Sequence, residues 1–142
     1  MARILFHLAF PVHDLREAER FYVEGLGCSR GRVSKHSLIL ELKGHQIVAQ
    51  LIEEKQPAPQ GIYPRHFGLI FTDKKDWEEL LARVRKKNLK IYLEPKVRFP
   101  GTPLEHHTFF LEDPSHNLLE FKHYVRESAI FGETEISTIG DR

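Results

Sequence analysis

The chain has almost no cysteine. Cys28 stands alone, so no internal disulfide can form, and a reducing, cytoplasmic setting is the expectation. It also has almost no net charge. A balance of +1 gives no bulk attraction toward nucleic acid or an anionic membrane surface, and neither is expected as a partner. No apolar run is long enough to span a bilayer. Residues 1–7, Met-Ala-Arg-Ile-Leu-Phe-His, lack the charged, apolar and cleavage regions of a signal peptide. At 142 residues the chain fits one domain and can bury a real core.

What the chain does have is histidine, nine in all, and their placement is informative. Residues 108–121 read as strand, tight turn, strand. Thr108 to Leu111 is β-branched and aromatic, and Asp113-Pro114-Ser115-His116-Asn117 carries turn chemistry. The return run Leu118-Leu119-Glu120-Phe121 places one carboxylate among apolar side chains. Glu120 is therefore either on an exposed face or is paired or metal-bound. His7 and His66 each sit in an apolar strand pattern, over 3–10 and 66–71. Each is followed at the same spacing by an aspartate, Asp14 and Asp73, that opens a helical pattern. The chain thus repeats one phrase, and a repeat dictates architecture.

These residues carry a resemblance to the vicinal oxygen chelate superfamily, the glyoxalase, bleomycin-resistance and extradiol-dioxygenase group. The features are the paired strand histidines and the Asp-Pro-x-x-x-x-Leu-Glu ending, and the likeness covers residues 3–124. It implies an α+β fold of two tandem βαβββ modules, with their mixed sheets curled into an open cup. Modules are expected over 3–53 and 66–124, joined by a Pro- and Gly-bearing linker over 54–65, with a tail over 125–142. Together they make a single domain over 1–142.

Within the first module, Asp14 and Glu17 predict a capped helix over about 15–24. Gly25 is expected as its left-handed terminator. Strands are expected over 27–34, 37–42 and 46–53. The second module should hold a helix after Asp73, a strand over 89–93, and a long loop over 94–107. Loops of that length are often functional. His13 is expected to be solvated, and His116, in the turn, to tolerate positive φ.

The resemblance also implies a site. His7, His66 and Glu120 fall on the family's metal-ligand positions, and Gln50 on the position of a fourth ligand that is usually Glu. Two neutral imidazoles and one carboxylate would hold one divalent metal ion, Fe2+ ahead of Mn2+, Ni2+ or Zn2+, with positions left open. His106 shares strand parity with Thr108 and Phe110, which the resemblance places in the substrate cavity. With Glu120 it is expected to be catalytic, as an acid–base or substrate-orienting group. The implied activity is that of a metal-dependent dioxygenase on a small substrate that chelates through adjacent oxygens. A glyoxalase-like lyase or isomerase, or a metal-free binding protein of the bleomycin-resistance kind, is the alternative. Phe110, where extradiol enzymes carry Tyr, argues against ordinary catechol cleavage. Ala9, where fosfomycin-resistance members carry Thr, argues against that activity. A homodimer is expected, since family members pair modules within a chain or across a two-fold axis.

Overall fold

The structure is a computed structural model that describes residues 2–140. Met1, and Asp141 and Arg142 at the end of the expected tail, lie outside the described residues. The first module runs β1 (His7–Val12), α1 (Leu15–Glu19) continued by a wide π turn over Arg20–Gly25, then β2 (Ser29–Val33), β3 (Ser37–Leu42) and β4 (His45–Leu51). The second runs β5 (Phe67–Ile70), α2 (Lys74–Lys86), β6 (Ile91–Arg98), β7 (His106–Glu112) and β8 (Leu118–Tyr124). The order βαβββ therefore occurs twice, and the class is α+β.

Each module makes its own four-stranded sheet, in the orders β1-β4-β3-β2 and β5-β8-β7-β6. The first strand of each lies parallel to the last, which requires the intervening helix as a crossover. The aspartate caps set where those helices begin. Asp14 accepts from the backbone of Arg16 and Glu17, and Asp73 from that of Lys75. Trp77, Leu80 and Val84 recur at helical spacing and form the buried face of α2. One continuous core joins the modules: Phe10, Tyr22 and Leu40 from the first pack with Trp77, Phe109 and Phe121 from the second. The edge strands β1 and β5 approach each other where Phe10 meets Phe67, with ring centroids 5.3 Å apart. Arg83 of α2 ties the helical layer together by donating from Nε to the Gly25 carbonyl at 2.8 Å.

Three local expectations are corrected. Gly25 does not terminate the first helix in a left-handed conformation. It lies inside the π turn, and Gly27, at φ +89°, makes the reversal. A side chain at 25 would run into Leu89, so that glycine serves close packing between modules. The loop expected over 94–107 is shorter, because β6 continues to Arg98. Pro95 is accommodated by an irregularity in the β6–β7 pairing between Leu93 and Lys96. His13 is half-buried rather than free in solvent. Its Nδ1 lies 2.9 Å from Ser115 Oγ and its Nε2 3.1 Å from Glu17, so it links α1 to the turn before β8. His116 does adopt positive φ, at +69°.

Candidate metal centre

The turn over Asp113–Asn117 sets the register of β8. Asp113 Oδ1 accepts from the backbone of Ser115 and Asn117, and Oδ2 from the Tyr22 hydroxyl at 2.7 Å and the Asn117 amide at 2.9 Å. That fixes Glu120 opposite Gly68 in the parallel β5–β8 ladder and opposite Phe110 in the β7–β8 ladder. Gly68 is required there, since a Cβ at that position would fall on the Glu120 carbonyl. The close approach brings His66, just ahead of β5, against Glu120.

His66 Nε2 lies 3.2 Å from Glu120 Oε1. Its Nδ1 lies 2.6 Å from the Ile62 carbonyl, which can only accept, so Nδ1 carries a proton and Nε2 is the nitrogen presented to the site. The other carboxylate oxygen accepts from the Thr108 hydroxyl at 2.6 Å. Burial alone would push the Glu120 carboxyl up, but the hydrogen bonds from His66 and Thr108 outweigh it and hold the group at about 2. His66 is shifted upward, first by its hydrogen bond to Glu120, against the opposing effect of burial. The pair is thus an ionised carboxylate and a histidine that donates to it from Nε2 when both ring nitrogens carry protons. Once that proton is lost, the histidine would present Nε2 to a metal, with the Ile62 contact orienting the ring as the outer hydrogen bond of a metal-bound histidine does.

His66 and Glu120 open onto a cavity of about 480 Å³ that His106, Arg98, Lys122 and tail residues such as Ile130 and Ile136 also line. The Tyr124 ring packs against His106 at a tilt of 44°, with centroids 4.8 Å apart, and His106 Nδ1 lies 2.9 Å from the Leu104 carbonyl, which leaves Nε2 as the nitrogen that faces the site. Burial lowers the affinity of that ring for a second proton, so it is neutral near pH 7.

The other expected ligands sit elsewhere. His7 is exposed on β1, its Nδ1 2.7 Å from Gln46 Oε1. Gln50 is exposed on β4 and accepts from Ser37 Oγ at 2.5 Å. Among the described residues, no three His, Cys, Asp or Glu side chains come together within this one chain. The two sheets also show where Gln50 stands. Glu120 lies opposite the second residue after His66, and the residue opposite the second after His7 is Val48. The counterpart of Gln50 in the second sheet is Lys122.

Lys122 and Arg98 were not singled out as site residues in the sequence, and Thr108 was placed in the cavity but given no role. For Lys122 the signal was present, since strand parity places it with Glu120. Arg98 was missed because it fell in the loop expected over 94–107.

Residues 4–121 match the Glyoxalase/Bleomycin resistance protein/Dioxygenase superfamily. The chain belongs to that superfamily. A similar solved structure is a glyoxalase/bleomycin resistance protein/dioxygenase from Alicyclobacillus acidocaldarius, 41% identical, with 90% of this chain and 96% of that one covered at a TM-score of 0.86. A virulence protein from Salmonella typhimurium is 26% identical over 88% of this chain and 98% of its own, at a TM-score of 0.60. A lactoylglutathione lyase from Agrobacterium tumefaciens shares the fold, at 18% identity and a TM-score of 0.63 over 87% of this chain and 94% of that one. No curated protein matches. Among the described residues, no helix is long and apolar enough to cross a membrane.

The donor set fits a divalent ion. Two ligand atoms each about 2.1 Å from one ion are about 3.0 Å apart when cis on an octahedron and about 3.4 Å apart on a tetrahedron. The 3.2 Å between His66 Nε2 and Glu120 Oε1 falls within that span.

Proposed function

We propose that this superfamily member is a metal-dependent enzyme, a dioxygenase acting on a small substrate that chelates through adjacent oxygens. Its site would be built from His66 and Glu120 of one copy and His7 of a second. The observation that carries the reading is the convergence of His66 Nε2 and an ionised Glu120 at 3.2 Å on the wall of the cavity, each fixed by a further hydrogen bond.

Three observations support a second copy as the source of His7. His7 is exposed and, among the described residues, forms no metal-holding group with His66 and Glu120 in the same chain. The chain before it, Ile4, Leu5 and Phe6, is 98%, 48% and 59% exposed, an apolar stretch with nothing covering it. Phe131, in the tail, is 95% exposed. Exposed apolar surface of this kind marks a contact with another protein surface.

The ion would supply Lewis-acid polarisation of the paired substrate oxygens and, with Fe2+, a route for electrons to dioxygen. The chain's own residues do the rest. The Ile62 carbonyl and the Thr108 hydroxyl hold the two ligands in orientation. His106 offers a neutral Nε2 that can take a proton from a bound hydroxyl. Val48 in the place corresponding to Glu120 leaves three ligands rather than four, which favours a site with open positions for both substrate and dioxygen. A second reading, a glyoxalase-like lyase or isomerase, draws on His106 alone, because a neutral buried imidazole suits proton transfer between adjacent carbons.

Mixing inactive variants tests the shared site. His7→Ala and His66→Ala should each lose metal. Exchanged one to one, random pairing should restore about one quarter of the wild-type sites, since half the dimers are mixed and each has one intact site. No recovery would dismiss the triad, since, among the described residues, these three form no metal-holding group within one chain. Oxygen uptake by the Fe2+ form over a panel of vicinal diols, enediols and hydroxyketones separates dioxygenase from isomerase.

A further inference from the structure

We infer that the second module carries a further cation site, outside the cavity, at which His107 and His123 together take a borderline-soft divalent ion such as Zn2+, Ni2+ or Cu2+. This site does not depend on the metal centre proposed above, and it lies on the opposite face of the same sheet.

Register makes the pair. His107 of β7 stands directly opposite His123 of β8. Strand alternation sends His106 and Thr108 to the cavity, so His107 and His123 share the other face with Phe109 and Phe121. Helix α2 covers that face. Its Trp77 donates from Nε1 to the Phe121 carbonyl at 2.8 Å, and its ring centre lies 5.5 Å from that of Phe109 and 5.6 Å from that of His107. The two histidines sit where this cover ends, half-buried rather than sealed, so an ion can reach them from solvent.

The spacing suits one shared ion. The two ring centres are 6.3 Å apart. A ligating imidazole nitrogen lies about 2.1 Å from a zinc ion and about 1.1 Å from its own ring centre, so two rings on one ion have centres at most about 6.4 Å apart. A modest turn of His107 about its side-chain bonds draws the rings from this outer limit toward tetrahedral spacing. His123 is already oriented. Its Nδ1 lies 2.9 Å from the Phe71 carbonyl, which can only accept, so Nδ1 carries a proton and Nε2 keeps its lone pair for an ion. An outer hydrogen bond of this kind orients metal-binding histidines generally. His107 is held neutral near pH 7, first by burial, then by Lys74 and His123, so it too offers a lone pair. Glu105 and Glu78 act on His107 in the opposite sense, so two carboxylates are close enough to favour a cation beside it. Imidazole selects zinc, nickel or copper over Mg2+ and Ca2+, which prefer oxygen ligands. Water would fill the remaining positions. The bound ion would staple the start of β7 to the end of β8, next to the His106–Tyr124 pair that faces the cavity.

Zinc titration of the full-length protein against a chromophoric chelator tests this, with thermal unfolding alongside. His107→Gln and His123→Gln should each weaken one zinc equivalent per chain by at least about tenfold, since even the loss of an outer partner costs that much. Saturating zinc should raise the wild-type Tm by several degrees, as any ligand of the folded state does, and the rise attributable to this site should vanish in both variants. His66→Ala should keep this equivalent and its Tm shift. Zinc stoichiometry and Tm shift in both glutamine variants equal to wild type would overturn the site. So would a Tm shift with Mg2+ as large as with zinc, or loss of all zinc in His66→Ala, and neither of these measurements needs a glutamine variant to fold. If His66→Ala loses no zinc while the glutamine variants do, the cavity centre fails and this site stands.

Discussion

Removing one oxygen atom, in Tyr22→Phe, should weaken the joint between the modules. Tyr22 is 0% exposed, on the π turn that follows α1, and its hydroxyl donates at 2.7 Å to Asp113, 3% exposed, in the turn that precedes β8. Hydrogen bonds to charged partners contribute about 1.5–3 kcal/mol. The lower end applies, since Asp113 keeps three other donors, the Ser115 and Asn117 backbone amides and the Asn117 side chain. The ring itself stays packed against Phe10 and Phe21. A loss of about 1.5–2 kcal/mol in a chain of this size lowers Tm by roughly 5–8 °C.

The pH dependence has a definite sign. Burial, the largest effect on Asp113, raises its pKa above the ordinary carboxylate value of 3.8, with the hydrogen bonds pulling the other way. A raised folded pKa means that this group favours the fold most below the unfolded value and loses that contribution as pH rises through the folded one. The Tyr22 hydroxyl eases the loss by favouring the charged form. The deficit in Tyr22→Phe should therefore be full at neutral pH and shrink on acidification as Asp113 protonates. Urea or thermal unfolding of both proteins across that range measures it. A deficit below about 0.5 kcal/mol at neutral pH, where a bond to a buried charge should exceed it, or one that grows on acidification, would refute the reasoning.

Gly68→Ala should cost stability by about 1–3 kcal/mol or more, because the Glu120 backbone has nowhere to move, and it should separate His66 from Glu120. A Tm and a metal titration equal to wild type would count against the close approach. Thr108→Val keeps side-chain volume but removes the donor to Glu120 Oε2, and metal affinity should fall by about 10–100-fold. Unchanged affinity would show that the carboxylate needs no orienting hydroxyl. Cys28, 5% exposed, has its thiol pushed up to about 12 by burial, so an aromatic disulfide reagent should react with it only as fast as the chain unfolds. Rapid reaction with the folded protein would show that the first module opens on its own.

The sequence was most readable where one residue type does one job. Asp14 and Asp73 marked both helix starts because a carboxylate cap has little competition at that position. Glu120 was conspicuous because a charge on an apolar strand is costly unless paired, and the structure places it 8% exposed with two partners. Misreadings arose where tertiary contact overrules local preference. Gly25 looked like a helix stop, but Leu89 from the other module required its missing side chain. Residues 94–98 looked like the start of a loop, but a pairing irregularity accommodates Pro95 and lets β6 carry Arg98 to the cavity wall. His13 looked solvated because its partner Ser115 lies 102 residues away, beyond the reach of any local pattern.

Duplication explains why the two halves of the chain were easy to align yet do not do the same work. Each module sets a histidine at the start of its first strand and lays the last strand parallel to it. In the second, the position facing this geometry is Glu120; in the first it is Val48, 7% exposed and packed as an aliphatic side chain. One step further along the same face the pair is Lys122 and Gln50, one charged and one neutral. The first module thus retains a histidine but no carboxylate, and the second retains both together with the cations and the cavity. A divalent ion held by His7, His66 and Glu120 would keep a residual charge of about +1, where a second carboxylate would cancel it. That residual charge would draw an anionic chelator to the proposed site, so the asymmetry between Val48 and Glu120 would set the charge such a centre carries.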